Sequence, residues 1–590
     1  MGPTSVVTRL RDLPIAVWLG AIVLCSAALR FLLGLAVPVP TIFPDELVYT
    51  ELARGFAETG RAEVRDAAFA AWTYGPLYPL VVSPAFLVSP DGQAALLVVK
   101  GINSVLFSLA ALPAYGVARR VLSPQASCVA ALVAVLVPSG VYTTRIMTES
   151  LVYPLFLAAV YAILVALERP TARNQLAALG AAGVATLARP QMATLLPAFA
   201  TAILAVAWTD ERAGHGTFRD RLGAFRITWL VGGALTAAAL VGALLVPSAS
   251  LGGHVAVLDR IDLGAVPAKL LYHVAELDLY SACIPLVAFL LVSAAALRSM
   301  SAPRSLRVFA AASTAIAGWL VALVSVYTTA FPHVYDRYLF YLVPLFAIAL
   351  LVWTAQGARR LSRPALAVVA VAVLLPLALP LDSLLNGREW GTSTSTVGLV
   401  PWVWVGFAVG HGWLLRVLTV VAAAVFAAEL VRARPDRGYA LARLVALTFA
   451  VSGLLVAISN TALSRTALPR VGQPADWVDR RVGDSGRVAV VVRRGDKESM
   501  PWQRRYALWE AETFNRTVGP VYHFETPLPD GLPSGRAVLE GGRIVTVSGA
   551  PIEERYALAH RSLRIAGTPI ARSERTGLVL YDRRGGSTAG

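Results

Sequence analysis

Asp45 and Glu46 stand side by side in the run Phe43-Pro44-Asp45-Glu46-Leu47-Val48-Tyr49, just past the end of the first long apolar stretch. A carboxylate placed where an apolar phase meets water can take a proton from an attacking hydroxyl, and a second acid can orient it or bind hydroxyls itself. Further along come Tyr74-Gly75-Pro76-Leu77-Tyr78, a rigid aromatic turn, and then Tyr142, Arg145 and Glu149 close together. Arg189-Pro190-Gln191 and His333-Val334-Tyr335-Asp336-Arg337-Tyr338 complete the set. Arginines in such company point to an anion, because a planar guanidinium holds a phosphate through two parallel hydrogen bonds. Each residue also has an ordinary reading. Acids favour helix N-termini through the dipole, tyrosines anchor at interfaces, and long cations snorkel out of apolar surroundings. Arg145 and Glu149, four apart, could pair on one helix face. Adjacent acids could hold a divalent cation, but nothing in the spacing demands a metal or any other cofactor.

A membrane domain must position these residues. Hydrophobic residues make up 56% of the chain and charged ones 15%, with a mean hydropathy of +0.63. A soluble chain of this size could not cover so much apolar surface. Runs long enough to cross about 30 Å of hydrocarbon begin near Leu13, Ala94, Gln125, Leu151, Gln175, Ala193, Ile227, Ser281, Val308, Leu339, Ala365, Trp413 and Ala440. That makes about thirteen spans; the stretch from Val397 to Gly412 is short and reads as interfacial or re-entrant. The net charge of +16 is spread as arginine clusters between apolar runs, which argues against nucleic acid as a partner. These clusters fall on alternate loops: Arg9 and Arg11, Arg119 and Arg120, Arg169 and Arg173, Arg212 to Arg226, Arg298 to Arg307, Arg359 to Arg363, and Arg432 to Arg437. The positive-inside rule then sets the N-terminus in the cytoplasm of an inner-membrane protein and the C-terminus outside.

On this topology the first outer loop spans 39–90. Three arginines (Arg145, Arg189, Arg337) and four acids (Asp45, Glu46, Glu149, Asp336) fall at one outer level. Residues 1–460 form the membrane domain. From 461 to 590 the composition becomes charged and rich in Gly and Pro, with strands expected over Arg487–Val492 and Leu578–Tyr581 and a helix over Trp502–Phe514. The expected fold is therefore an all-α polytopic membrane protein with a small extracytoplasmic α/β domain. Trp502, Tyr506 and Trp509 at helical spacing read as core of that domain rather than a glycan surface. Asn515-Arg516-Thr517 fits a sequon. The cysteines Cys25, Cys128 and Cys283 form no recognisable framework.

The motifs resemble the GT-C glycosyltransferases, in the branch of the protein O-mannosyltransferases and lipid A aminoarabinose transferases. The likeness rests on Asp45-Glu46 in the first outer loop, the turn Gly75-Pro76-Leu77-Tyr78, the element Tyr142, Arg145 and Glu149, and Arg337-Tyr338 with Pro344 downstream. It covers roughly the first 360 residues. Gly75 replaces the first proline of the turn, Tyr74 a preceding basic residue, and Glu149 a common aspartate. The Ala/Arg/Val-rich composition points to a high-GC, actinobacterial source.

The resemblance implies transfer of a sugar from a polyprenyl-phosphate donor, with inversion, to a glycan, glycolipid or protein acceptor at the outer membrane surface. It implies Asp45 as general base, with Glu46 or Glu149 binding hydroxyls or orienting it. Arg337, assisted by Arg145, Arg189, Tyr338 and His333, would bind the donor phosphate. Tyr74, Tyr78 and Tyr142 would line the sugar or acceptor. A transporter or flippase for a lipid-linked anion is the alternative, although the charges crowd the outer interface rather than mid-membrane. A scaffold recruiting cell-wall enzymes explains the C-terminal domain but not the loop motifs.

Overall fold

The computed structural model describes residues 13–39, 44–65, 67–69, 71–88, 92–245, 260–331, 334–356, 362–381, 396–410, 413–431, 438–471, 474–483, 486–493, 502–524 and 532–585. A helical bundle carries a mixed sheet at its C-terminal end, as expected. The helices that carry or brace the site are α1 (Ile15–Leu35), α2 (Pro44–Glu58), α3 (Gly92–Ser108), α4 (Pro124–Leu136) and α5 (Glu149–Glu168). With them come α6 (Ala172–Ala188), α7 (Leu195–Arg212), α8 (Arg304–Tyr327), α9 (Gly438–Val471) and α10 (Trp502–Phe514).

Among the described residues seven helices are long and apolar enough to cross a membrane. Two bent pairs raise this to nine if each is one span: Pro124–Leu136 with Pro138–Thr144, bent by 55°, and Leu263–Tyr280 with Ile284–Arg298, bent by 112°. Shorter apolar helices lie at Leu77–Val88, Phe340–Gln356, Arg363–Ala378 and Val397–Val409. The first bend has a local cause. Pro138 has no N–H to continue the α4 ladder, so the chain tightens into a 3₁₀ turn over Pro138–Thr144. At the second, Ala282 and Cys283 sit at φ of 57° and 61°, left-handed values that no helix tolerates.

Two cations inside the spans repair helix ends. Lys100 Nζ donates to the carbonyls of Gly34 (3.1 Å) and Val37 (2.6 Å), closing the C-terminus of α1. Arg30 does the same for the broken end of α4, donating to the Val135 carbonyl and lying 4.3 Å over the Phe107 ring. Gly140 packs directly on that guanidinium, where a Cβ would collide.

Basic loops meet at one end of the bundle. Asp210, at the end of α7, accepts Arg304 Nε (3.0 Å) and Nη2 (2.9 Å) and Arg307 Nη2 (3.3 Å), and Arg304 also reaches the Glu168 carbonyl at the end of α5. Arg304 opens α8 and Tyr327 closes it, about 36 Å away at 1.5 Å per residue. The arginine-rich loops and the residues around Tyr327 therefore occupy opposite ends.

Helix α9 runs unbroken across residue 460, and the sheet domain follows it. Its strands are β3 (Val488–Arg493), β4 (Val518–Phe524), β5 (Gly535–Glu540), β6 (Arg543–Thr546), β7 (Tyr556–His560), β8 (Thr568–Arg572) and β9 (Leu578–Asp582); β1 (Glu63–Val64) and β2 (Ala67–Ala68) form a minute hairpin just after α2. The seven-stranded order is β6-β5-β4-β3-β7-β9-β8, parallel from β5 to β7 and antiparallel at both edges. β3 is covered on both faces, with Val488, Val490 and Val492 in one apolar cluster and Ala489 and Val491 in another. Asn515 is a brace and not a sequon on display: it is buried, with Oδ1 accepting from the Val478 (3.0 Å) and Asp479 (3.1 Å) amides.

Candidate active site

Helix α2 starts the site. Pro44 lies at its first turn, where a missing N–H costs nothing, and Asp45 and Glu46 occupy the turn that the dipole favours for acids. Successive helical residues point about 100° apart, so the two acids diverge. Glu46 turns inward, 2% exposed, and its Oε1 accepts the Ile146 amide at 3.2 Å. Asp45 turns outward with its side chain 30% exposed, and its Oδ2 accepts Arg337 Nη2 at 3.0 Å. One acid is committed to holding the segment that follows the 3₁₀ turn Pro138–Thr144; the other remains open.

Arg337 sits in a 3₁₀ turn, Asp336–Tyr338, following α8. Its Nη2 also donates to the Tyr338 hydroxyl (2.7 Å), and the guanidinium lies 4.8 Å over the Tyr338 ring. Its Nε is buried and has no hydrogen-bond partner among the described residues. Tyr327, Phe331, Tyr335 and Tyr338 form an aromatic wall beside it, with centroids 5.3–5.9 Å apart. Asp336 points the other way, buried, and accepts the Gly398 amide. The short helix after Val397 thus braces the turn that presents Arg337.

Arg189 ends α6 in extended backbone and donates from Nη1 to Glu149 Oε1 (2.6 Å), the Tyr341 hydroxyl (3.1 Å) and Thr148 Oγ1 (3.4 Å). It also lies 4.6 Å over the Tyr338 ring, which it shares with Arg337. Here one expectation is corrected. Arg145 does not pair with Glu149, because Arg145 is extended (φ −124°, ψ 161°) and only Glu149 is helical, so no i,i+4 face exists. Arg145 Nη2 instead reaches Asn460 Oδ1 on α9 at 2.7 Å. Glu149 is fully buried, and its Oε2 has no hydrogen-bond partner among the described residues.

The tyrosines divide. Tyr74 stands half-buried against Tyr49, edge to face at 6.1 Å. Tyr78 and Tyr142 are fully buried, so in this conformation neither ring is open to a sugar or acceptor. Tyr78 meets Asn103 at 3.2 Å, and Asn103 Nδ2 donates to the Arg145 carbonyl at 2.7 Å. Tyr142 lies beneath the Arg145 guanidinium at 5.9 Å. Both therefore support Arg145. His333 lies outside the described residues.

Gly75 explains its own departure from the proline pattern. Its φ is +86°, which proline cannot adopt, and a Cβ there would stand 2.4 Å from the Ala188 carbonyl oxygen. The turn thereby seats itself against the residue preceding Arg189. Asn460, Tyr341 and the Tyr327–Phe331 pair were not singled out in the sequence. A lone asparagine inside an apolar helix was the available signal for the first; the others look like interfacial aromatics until the fold gathers them.

Among the described residues no three His, Cys, Asp or Glu side chains are grouped to hold a metal ion. Asp45 and Glu46, the adjacent pair that could have done so, face different ways.

Comparison with known proteins agrees with this architecture. Residues 74–247 match the family model of dolichyl-phosphate-mannose-protein mannosyltransferase. No curated protein matches the chain in sequence. Among solved structures, ArnT from Cupriavidus metallidurans bound to undecaprenyl phosphate is similar with a TM-score of 0.52 at 12% identity, over 95% of this chain and 97% of ArnT. Apo ArnT from the same organism gives 0.53 at 14%, over 97% and 98%. This chain has the ArnT fold. The fold likeness takes in the C-terminal sheet domain as well as the bundle, in which seven to nine helices among the described residues are long and apolar enough to cross a membrane. The family-model match is narrower. It begins at Tyr74 and takes in Arg145, Glu149 and Arg189, while Asp45 and Arg337 lie on either side of it.

Proposed function

We propose that this protein is an inverting glycosyltransferase of the GT-C type, moving a sugar from a polyprenyl-phosphate donor to an acceptor at the outer face of the cytoplasmic membrane. The carrying observation is the Asp45–Arg337 pair, an open carboxylate facing a guanidinium whose buried Nε has no hydrogen-bond partner among the described residues. The match to a mannosyltransferase family model, and the fold shared with an ArnT that binds undecaprenyl phosphate, support the same chemistry.

Asp45 takes the proton of the acceptor hydroxyl as that oxygen attacks the anomeric carbon from the face opposite the phosphate. The anomeric C–O bond breaks, its electron pair leaves on the polyprenyl phosphate, and the configuration inverts. Arg337 neutralises the charge gained by that leaving group. In the free protein it is held by Asp45, so a bound donor phosphate releases the base as it captures the arginine. Arg189 is already balanced by Glu149 and helps through the Tyr338 ring both cations share. An apolar groove of about 680 Å³, lined by Leu29, Leu33, Leu132, Leu136 and Leu454 and with Asn460, the partner of Arg145, in its wall, suits the isoprenoid chain.

The orientation follows from the arginine loops, which gather around Asp210 at the end away from Asp45. They belong in the cytoplasm with the N-terminus, leaving the site and the sheet domain outside. The acceptor is a glycan, glycolipid or protein hydroxyl.

The test is transfer by the purified full chain, given a panel of radiolabelled polyprenyl-phosphate sugars and a crude cell-envelope acceptor. Transfer by wild type that collapses in folded Asp45→Asn and Arg337→Ala proteins supports the class and both roles. Donor crossing the bilayer without transfer would replace this reading with a flippase.

A further inference from the structure

The C-terminal domain has no role in the chemistry above, yet its helix α10 is joined to the helix that carries Asp45. Arg65, 4% exposed, donates from Nε to Glu512 Oε2 (2.7 Å) and from Nη2 to Glu512 Oε1 (3.2 Å), a two-point buried pair. It is a non-glycine residue at φ +53°, a strained conformation that the surrounding contacts must over-determine. Arg54, on α2 itself, donates to the Glu512 carbonyl (2.8 Å) and to the Thr513 carbonyl, so a loop-helix cation caps the C-terminus of a helix from the other domain. Glu51, one turn before it on α2, accepts Arg54 Nη1 (3.3 Å) and the Arg65 amide (3.4 Å).

Apolar contacts run alongside. Leu47, Val48 and Leu52 of α2 share one buried cluster with Ala475, Trp509, Phe514 and Leu532 of the C-terminal domain. On its other side the end of α10 rests on the start of the next span: a Cβ added at Gly92 would lie 3.1 Å from Phe514 Cα and 3.2 Å from the Thr513 carbonyl oxygen. The end of α10 is therefore wedged between α2 and α3. Because α2 is one rigid helix, whatever holds Leu47 to Arg54 also sets where Asp45 points.

We propose that the C-terminal domain is a working part of the catalytic centre, with Arg54, Arg65 and Glu512 as positioning residues that clamp α2 and so aim Asp45 at the acceptor. The aim of Asp45 at an acceptor rests on the glycosyltransferase reading; the clamp on α2 does not. The cluster also carries a proton switch. Burial pushes the Glu51 carboxyl up to about 7, with Glu512 adding to the rise and Arg54 and Arg65 opposing it. A carboxyl raised in this way favours the docked state while protonated, and that contribution is lost as pH rises through about 7.

The full chain is reconstituted in lipid nanodiscs, and two readouts are taken on Glu512→Gln, Glu512→Asp and Gly92→Val proteins. The first is backbone hydrogen exchange over residues 44–58; the second is kcat and donor KM for sugar transfer. Glu512→Gln is expected to raise exchange and to lower kcat by about tenfold while donor KM stays within about twofold, with Glu512→Asp recovering part of the loss. Gly92→Val displaces the end of α10 without touching a charge and is expected to act in the same direction, which covers the case in which Glu512→Gln fails to fold. The protection factor over 44–58, which removes the intrinsic pH dependence of amide exchange, should fall between pH 6 and 8 in wild type and stay flat in Glu51→Gln. Unchanged exchange in Glu512→Gln and Gly92→Val overturns the clamp, and raised exchange with unchanged kcat overturns its role in catalysis. A wild type that transfers no sugar sinks the enzymatic reading alone, since the exchange measurement still decides whether the domain holds α2.

Discussion

Asp45 and Glu46 are neighbours with the same chemistry and opposite fates. The helix turns one to the Ile146 amide and the other to Arg337. Asp45→Asn should lower kcat by about 10²–10⁴-fold with folding intact, the range for a lost general base. Glu46→Gln, which keeps an oxygen for the Ile146 amide, should lose far less in the same transfer assay. Arg337→Ala should cost about 10²–10³-fold, and Arg337→Lys should recover part of it, since a point charge replaces the fork but not its stacking on Tyr338. Gly75 makes a stability prediction. Gly75→Ala drives a Cβ into the Ala188 backbone at a left-handed φ, so thermal unfolding should show a loss of about 1–3 kcal/mol. Both acids and Arg337 were legible in the sequence as residue types at one membrane level. Which acid stays open was not, because that depends on where the Ile146 amide and Arg337 come to lie.

At the scale of elements, the site is a meeting of helix ends. α2 and α5 contribute N-terminal acids, α6 ends on Arg189, and the turn after α8 contributes Arg337. Buried cations at mid-helix serve the same economy of backbone groups, Lys100 for α1 and Arg30 for α4. At the far end Asp210 gathers Arg304 and Arg307. Asp210→Ala leaves Arg307, 2% exposed, as an uncompensated buried charge, which should cost about 3–5 kcal/mol in unfolding while donor KM is unchanged. Apolar runs and basic loops were readable by length and charge alone. The break between Arg145 and Glu149 was not, because spacing of four residues implies a pair only if the backbone between them is helical, and Pro138 had already diverted it into a 3₁₀ turn.

For the whole molecule, the chain is one bundle with its sheet domain tied to the loop above the site. The tie is built from Arg54, Arg65 and Glu512, residues separated by more than 440 positions in sequence. Metal removal tests the centre as a unit. We propose that no divalent cation is needed, since Asp45 is paired with Arg337 and Glu46 with a backbone amide; transfer should be unchanged by EDTA and by added Mg²⁺. Loss of transfer in EDTA that Mg²⁺ restores would reverse that.

Composition, apolar run length and the alternation of arginine loops determined by themselves that this is a polytopic helical membrane protein with a separate C-terminal domain and a charged layer at one membrane level. They could do so because the bilayer imposes its length and charge rules on each segment independently. In the C-terminal domain β3, α10 and β9 were legible from local side-chain periodicity, a property of each short segment, while β4 to β8 were not singled out. Only the tertiary structure decided that Glu149 belongs to Arg189, that Arg145 belongs to Asn460, that Tyr78 and Tyr142 are buried props, and that the C-terminal domain grips α2. Those are pairings between distant segments, and the energy of a buried charge depends on what the fold brings within about 3 Å of it, a distance that no local window of sequence contains.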